Sequence, residues 1–421
     1  MKKLSFIFLY FILLCVACSD NDIPVTDPQQ PEEPEEPTIV YDIPTVRITG
    51  IEGEIEKDNY KTGTITIESK DENGNSIETL LEATTEIKGR GNSTWNEAKK
   101  PYRLKLKDKA EILGMPANKH WVLLANFFDK TLVRNELAFE ISNRMEFEYT
   151  PRMQFADFYL NNVYRGSYMI GEHIRVDKER VNIAESSDIN TGYLLEIDER
   201  KGEPNWFSTT IAGTIFCIKS PEDITPEQMD YITNHVQKME DILYAGGANM
   251  ASELEKYVDM KTFIDYYLLN ELSNNVDGNL RLSTFLYKKK DDDKLYFGPV
   301  WDYDLAFGNA AHENSNGDKT DLWNVRNRSE WYKKFFENAE LEARTKSRWK
   351  ELRASKLKDL DEFINLSVKK LSISQVKNFN VWDINWEGWT NIPAKGSYSN
   401  EVVYLKNWLT ARIAWIDNQW K

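Results

Sequence analysis

Two hydrophobic periods divide this chain, and their order constrains its fold more than any single motif. From about Ile43 to Leu106, β-branched residues alternate with polar ones, as in Val46-Arg47-Ile48, Thr62-Gly63-Thr64-Ile65-Thr66-Ile67 and Thr84-Thr85-Glu86-Ile87-Lys88. A period of two sends successive side chains to opposite faces, the pattern of strands. Tyr102-Arg103-Leu104-Lys105-Leu106 continues it, with Arg103 and Lys105 on one face and Leu104 and Leu106 on the other. Trp121-Val122-Leu123-Leu124-Ala125 predicts a buried strand, and Asp129 predicts the N-cap of a helix carrying Val133, Leu137, Ile141 and Met145. A hairpin is expected through Asn161-Asn162, and a further strand over Tyr193–Asp198. From Pro226 onward the apolar residues take helical spacing, over 226–244 and again over 252–272, where Phe263, Ile264, Tyr267, Leu268 and Leu272 share a face. The order implies an α+β fold of two lobes, β-rich over about 41–175 and mainly helical over about 176–421.

Of the 421 residues, 41% are hydrophobic and 12% aromatic, enough for a real core, which excludes global disorder. A formal charge of −15 shows no basic footprint, so nucleic acid is not an expected partner. Residues 1–18 resemble a secretory signal: Lys2-Lys3, an apolar run from Phe6 to Leu14, then Cys15-Val16-Ala17-Cys18. That ending resembles a bacterial lipobox, which would put a lipid on Cys18 and a membrane among the partners; an ordinary signal cut nearby is the other reading. Residues 19–40 hold Pro31-Glu32-Glu33-Pro34-Glu35-Glu36-Pro37 and read as an extended acidic tether. Acidic residues just after the lipidated cysteine resemble surface-export signals of Bacteroidetes-type lipoproteins. The expected location is the cell envelope, at the outer membrane and exposed at the surface. Cys217 lies in an apolar run and reads as a buried hydrophobe.

The chemistry concentrates between Asn274 and Gly308. Read as a strand, Val300 to Leu305 puts Asp302 and Asp304 on one face with Cα atoms roughly 6.6 Å apart. Two such carboxylates suit a hard divalent cation with phosphate oxygens, or else a solvated strand end. Asp277 stands in a loop after a helix, where it suits a general base; Asp277-Gly278 is equally a turn pair. Gly89-Arg90-Gly91-Asn92-Ser93 is either a phosphate-binding loop or a plain hairpin loop, since it lacks Walker A and GxGxxG spacing. Arg103 and Lys105 would contact phosphate or face solvent. The four His show no metal-binding spacing, and no Gly-x-Ser-x-Gly elbow appears.

Together these blocks resemble a known family. Gly89–Trp95 with Lys99–Leu106, Trp121–Asn126 with Asp129-Lys130 and Arg134-Asn135, Tyr164–Tyr168 leading to Glu172, and Trp301-Asp302-Tyr303-Asp304-Leu305-Ala306-Phe307-Gly308 resemble, in order, the signatures of CotH-type proteins, the atypical spore-coat kinases. The resemblance covers roughly residues 43 to 420. It implies a divergent protein-kinase-like fold that binds ATP and Mg²⁺ or Mn²⁺ and phosphorylates Ser/Thr of protein substrates. It also implies that Asp277 matches the catalytic-loop aspartate and that Asp302, with Asp304, matches the metal aspartate. Arg90, Arg103, Lys105 and Glu172 would serve the nucleotide. One departure stands out: a second metal-binding Asn has no match, Ser283 being nearest. The alternative is a catalytically inactive kinase-like surface module for adhesion or for binding glycan or protein.

Overall fold

The protein is described here by a computed structural model covering residues 43–71, 75–312, 314–388 and 390–421. The signal-like segment 1–18 with Cys18, and the tether 19–40, lie outside the described residues.

The alternating front half becomes β1 (Thr45–Thr49), β2 (Lys61–Lys70), β3 (Ser76–Gly89), a short α1 (Ser93–Asn96), β4 (Tyr102–Ile112), β5 (Met115–Leu124), α2 (Arg134–Arg144), β6 (Met153–Leu160) and β7 (Val163–Glu172). The seven strands close into a barrel in the order β1-β2-β3-β4-β5-β7-β6. Closure comes from β1 pairing parallel with β6, Thr45 opposite Asp157 and Val46 opposite Phe158. The period of two does its work inside: Val46, Ile48, Ile65, Ile67, Leu104 and Leu106 are all buried in the barrel core. Asn161 and Asn162 turn the β6–β7 hairpin with φ of 48° and 64°, the left-handed pair that suits the strand twist.

The mixed α+β class and the β-rich front half are present, but the closed barrel differs from the kinase-like two-lobed arrangement that the resemblance implies. The back half is also not purely helical. It contains β8 (Tyr193–Ile197), β9 (Trp206–Ser208), β10 (Ile215–Ser220), α3 (Pro226–Ala245), α4 (Met250–Leu254), α5 (Met260–Ser273), β11 (Thr284–Lys288) and β12 (Leu295–Phe297). Its five strands form a second sheet in the order β12-β11-β8-β10-β9. Six helices follow: α6 (Asn324–Arg328), α7 (Glu330–Phe335), α8 (Ala339–Ala354), α9 (Leu360–Lys370), α10 (Ser374–Val381) and α11 (Tyr398–Gln419). One apolar core runs through α2, the second sheet and most of the later helices.

Three local expectations change. The helix expected over 252–272 is two, because Asp259 caps α5 by accepting from Thr262 N at 2.8 Å. Asp129 is not the N-cap of α2, which Val133 occupies; its carboxylate instead accepts from Arg134 N at 2.8 Å, ahead of the helix. Val133, Leu137, Ile141 and Met145 are nevertheless all buried on one face. Finally, Val300–Leu305 is no strand: β12 ends at Phe297, and the chain beyond turns through positive φ at Asp302 (68°) and Phe307 (51°).

Candidate active site

Asp277 is delivered by the end of α5. The helix stops at Asn274, left-handed with φ 47°, and Asn275 Oδ1 accepts from Asp277 N at 3.1 Å. Gly278 is required next, because a Cβ there would run into the Asn270 side-chain oxygen. A buried ion pair fixes this helix end: Arg412 Nη2 on α11 meets Glu271 Oε1 at 2.7 Å, and the Glu271 carboxylate also accepts from Asn324 N and Arg326 N, each at 2.8 Å.

Asp302 and Asp304 reach the same space from an irregular loop that is tied down on several sides. Tyr303 N donates to Asn135 Oδ1 at 2.7 Å, and its hydroxyl donates to Asn270 Oδ1 at 3.0 Å. Phe307 N donates to Ser273 O at 2.6 Å, and Asn309 Nδ2 donates to Asp304 O at 2.6 Å. Ser283, just before β11, donates through Oγ to Asp302 Oδ2 at 3.1 Å. The Asp129–Arg134 pair (2.5 Å, both about 1% exposed) lies behind this loop, with Arg134 Nε donating to Phe307 O at 3.4 Å. The Asn135 and Asp129 blocks of the sequence therefore act as scaffold for the aspartates.

A cavity of about 480 Å³ gathers Asp277, Ser283, Asp302 and Asp304 with Arg90 and Arg103 from the barrel and with Lys219 of β10. Arg90 lies over the Trp301 ring at 5.4 Å. Among the described residues neither Arg90 nor Arg103 has a carboxylate within ion-pair distance, and Arg103 Nε is buried without a hydrogen-bond partner. Burial lowers the Arg90 pKa, opposed by Asp302. Such a guanidinium pair calls for an anion.

The acidic end is under the opposite strain. Burial, then Asp302, push Asp277 up to about 6, with Arg281 pulling the other way. Burial and then Asp302, Asp129 and Asp277 raise Asp304 well above the carboxylate range. A cation would relieve both. His173 is held neutral first by burial and then by Arg103 and Arg90; its Nδ1 contacts Ile174 O at 2.6 Å.

The structure does not bring Lys105 or Glu172 into the cavity. Lys105 pairs with Glu86 at 3.3 Å on the half-exposed outer face of β4. Glu172 is fully buried, accepting from Arg152 N at 3.0 Å and Arg152 Nη1 at 2.9 Å, with Arg180 Nε at 3.6 Å. Three lysines do line the cavity, Lys57, Lys88 and Lys219, and of these Lys219 ion-pairs with Glu196 of β8 at 3.2 Å and with Glu203. Burial would lower the Lys219 pKa, but Glu196 and Glu203 outweigh it and leave it raised. The available signal was one charge in each of two apolar strands, Glu196 in Tyr193–Ile197 and Lys219 in Ile215–Ser220.

The donors fit a hard cation: two carboxylates facing one space, with a hydroxyl beside them. Among the described residues no three His, Cys, Asp or Glu side chains come together to hold a metal unaided. This suits Mg²⁺, which takes one or two carboxylates and completes its shell with water and phosphate oxygens.

A closed barrel together with a mixed body of sheet and helices forms a cleft that gathers three aspartates with Arg90, Arg103 and Lys219. The model of the CotH kinase protein family matches residues 87–416, and the chain belongs to that family. No individual curated protein matches it.

Proposed function

We propose that this chain is an ATP- and divalent-metal-dependent protein Ser/Thr kinase anchored at the cell envelope by a lipid on Cys18. The observation that carries the reading is a cavity lined by Asp277, Asp302 and Asp304 together with Arg90 and Arg103, two guanidiniums that among the described residues have no carboxylate within ion-pair distance. Arg90, Arg103 and Lys219 bind and orient the phosphates of ATP. Asp302 and Asp304 hold Mg²⁺ or Mn²⁺, which supplies charge neutralisation at the phosphates. Asp277 orients the acceptor hydroxyl and takes its proton; its pKa near 6 leaves it ionised, yet basic enough to act at neutral pH. The hydroxyl oxygen forms a bond to the γ-phosphorus as the bond to the β–γ bridging oxygen breaks, and ADP departs. Most of the rate comes from positioning and charge stabilisation.

Calorimetric titration of ATP in Mg²⁺ and in Mn²⁺ tests the cleft. Wild type binds, and Asp302→Asn weakens the metal-dependent binding at least tenfold. Wild type without ATP affinity in either metal ends the kinase reading.

A further inference from the structure

A second cavity of about 320 Å³ adjoins the Asp277 loop. Asn279, Leu280 and Arg281 of that loop form one wall, and Arg328 and Trp331, on α6 and α7, form another. Arg281 lines this cavity and also touches the Asp277 side chain: its Nη2 stands 3.6 Å from Asp277 Oδ1 while its Nη1 donates to Glu199 Oε1 at 2.9 Å. Arg328 donates to Ser315 O at 2.9 Å and, among the described residues, has no carboxylate within ion-pair distance. Burial and then Arg281 lower the Arg328 pKa while Asp277 raises it, so two guanidiniums share this region with Glu199 and Asp277, both of which stand at ion-pair distance from Arg281. Glu330 also lines the cavity but is paired with Lys333. The second, independent sign is Asn279. It is only 7% exposed, lines the cavity, and its Oδ1 has no hydrogen-bond partner. A buried orphan acceptor on the same cavity as a cation with no carboxylate at ion-pair distance asks for a ligand that offers both an N–H donor and a negative charge.

We infer that this cavity seats the acceptor polypeptide and that Arg328 selects serine or threonine residues with an anionic side chain nearby. The inference rests on the kinase reading of Asp277. An extended segment advances about 3.3 Å per residue. A hydroxyl at Asp277 therefore puts a side chain one to three positions away within reach of Arg281 and Arg328. Asn279 Oδ1 accepts a backbone N–H of the same segment. The charge is a carboxylate or the phosphate of a residue modified earlier; both present anionic oxygens to guanidinium.

The test uses the full chain and fluorescein-labelled serine peptides flanked by Asp/Glu, by phosphoserine or by Lys. Anisotropy is read without nucleotide, then transfer with Mg²⁺ and ATP. The acidic or the phosphoserine peptide binds at least tenfold tighter than the lysine peptide, and which of them leads identifies the anion. Arg328→Gln removes the gap, and Arg328→Glu turns it toward lysine, with thermal unfolding reporting that each variant is folded. Equal binding of the three peptides by wild type overturns the inference without any variant, and so does a gap that survives in folded Arg328→Gln. Transfer that ignores the flanking charge sinks this inference and leaves the kinase reading standing. Arg328-dependent acidic-peptide binding without transfer leaves the subsite standing and sinks the kinase reading.

Discussion

Ser283 Oγ donates to Asp302 Oδ2 at 3.1 Å, and both residues hold left-handed backbone, φ 48° and 68°. Ser283 thus orients the aspartate that a metal would need. Neither residue is glycine, so each conformation costs on the order of 1 kcal/mol and is maintained by its surroundings. Ser283→Ala removes a hydrogen bond to a charged group, worth about 1.5–3 kcal/mol. The expected result is a loss of roughly tenfold in kcat/KM with a Tm lowered by a few degrees, checked by steady-state kinetics and thermal unfolding.

Asp277 carries a pH dependence. Its pKa is raised from 3.8 to about 6, first by burial and then by Asp302. Transfer should rise as pH passes through 6 and level off above about 7, because the base must be ionised. Stability runs the other way. The folded state holds a proton that the unfolded chain has released, so this contribution is complete below the unfolded pKa and lost as pH rises through 6. Asp277→Asn should therefore abolish transfer while stabilising the fold at pH 7.5 by up to ~3 kcal/mol, less whatever the Arg281 contact contributes. Urea midpoints at pH 7.5 and pH 5 check this, the gain shrinking at the lower pH.

Arg103 and Lys105 share a strand face in sequence but not a role. Arg103 lines the cavity with a buried, unpartnered Nε, whereas Lys105 is engaged by Glu86 outside it. Arg103→Ala should weaken ATP at least tenfold, and Lys105→Ala should stay within about twofold, since an exposed ion pair is worth about 0–1 kcal/mol. Titration of ATP into both variants decides.

The helix that presents Asp277 depends on a distant residue. Arg412 is fully buried, pairs with Glu271, and also donates to Glu271 O, Thr320 O and Leu322 O. Arg412→Ala leaves Glu271 buried and uncompensated and should cost about 3–5 kcal/mol in urea unfolding. Loss of stability without any change in transfer below the midpoint would show that α5 holds Asp277 by itself.

The strands were legible where a local period sufficed. Ile65 and Ile67, or Leu104 and Leu106, announce an inward face, and the Asn161-Asn162 turn announces its hairpin. Barrel closure was not, because it depends on Thr45 meeting Asp157 across a long stretch of chain, which no local pattern encodes. The sequence pairs Asp302 and Asp304, but strand alternation predicts the wrong geometry for them. Their common orientation comes from positive φ at Asp302 and from anchors at Asn135, Asn270 and Ser273 rather than from strand alternation. Lys105 shares a strand face with Arg103, and Glu172 belongs to a motif, but the structure gives both to local ion pairs. Nothing local in the sequence marks Lys219, because its partner Glu196 sits on a neighbouring strand, a relationship that exists only after folding.

The most direct test of the central claim is phosphoryl transfer from radiolabelled ATP by the full chain, in Mg²⁺ and in Mn²⁺, with Asp277→Asn and Asp302→Asn alongside. The wild type should label itself or a serine-rich protein, and each substitution should reduce labelling by about a hundredfold or more in a folded protein. Wild-type protein that transfers no label in either metal, or Asp277→Asn protein that transfers as well as wild type, would contradict the account.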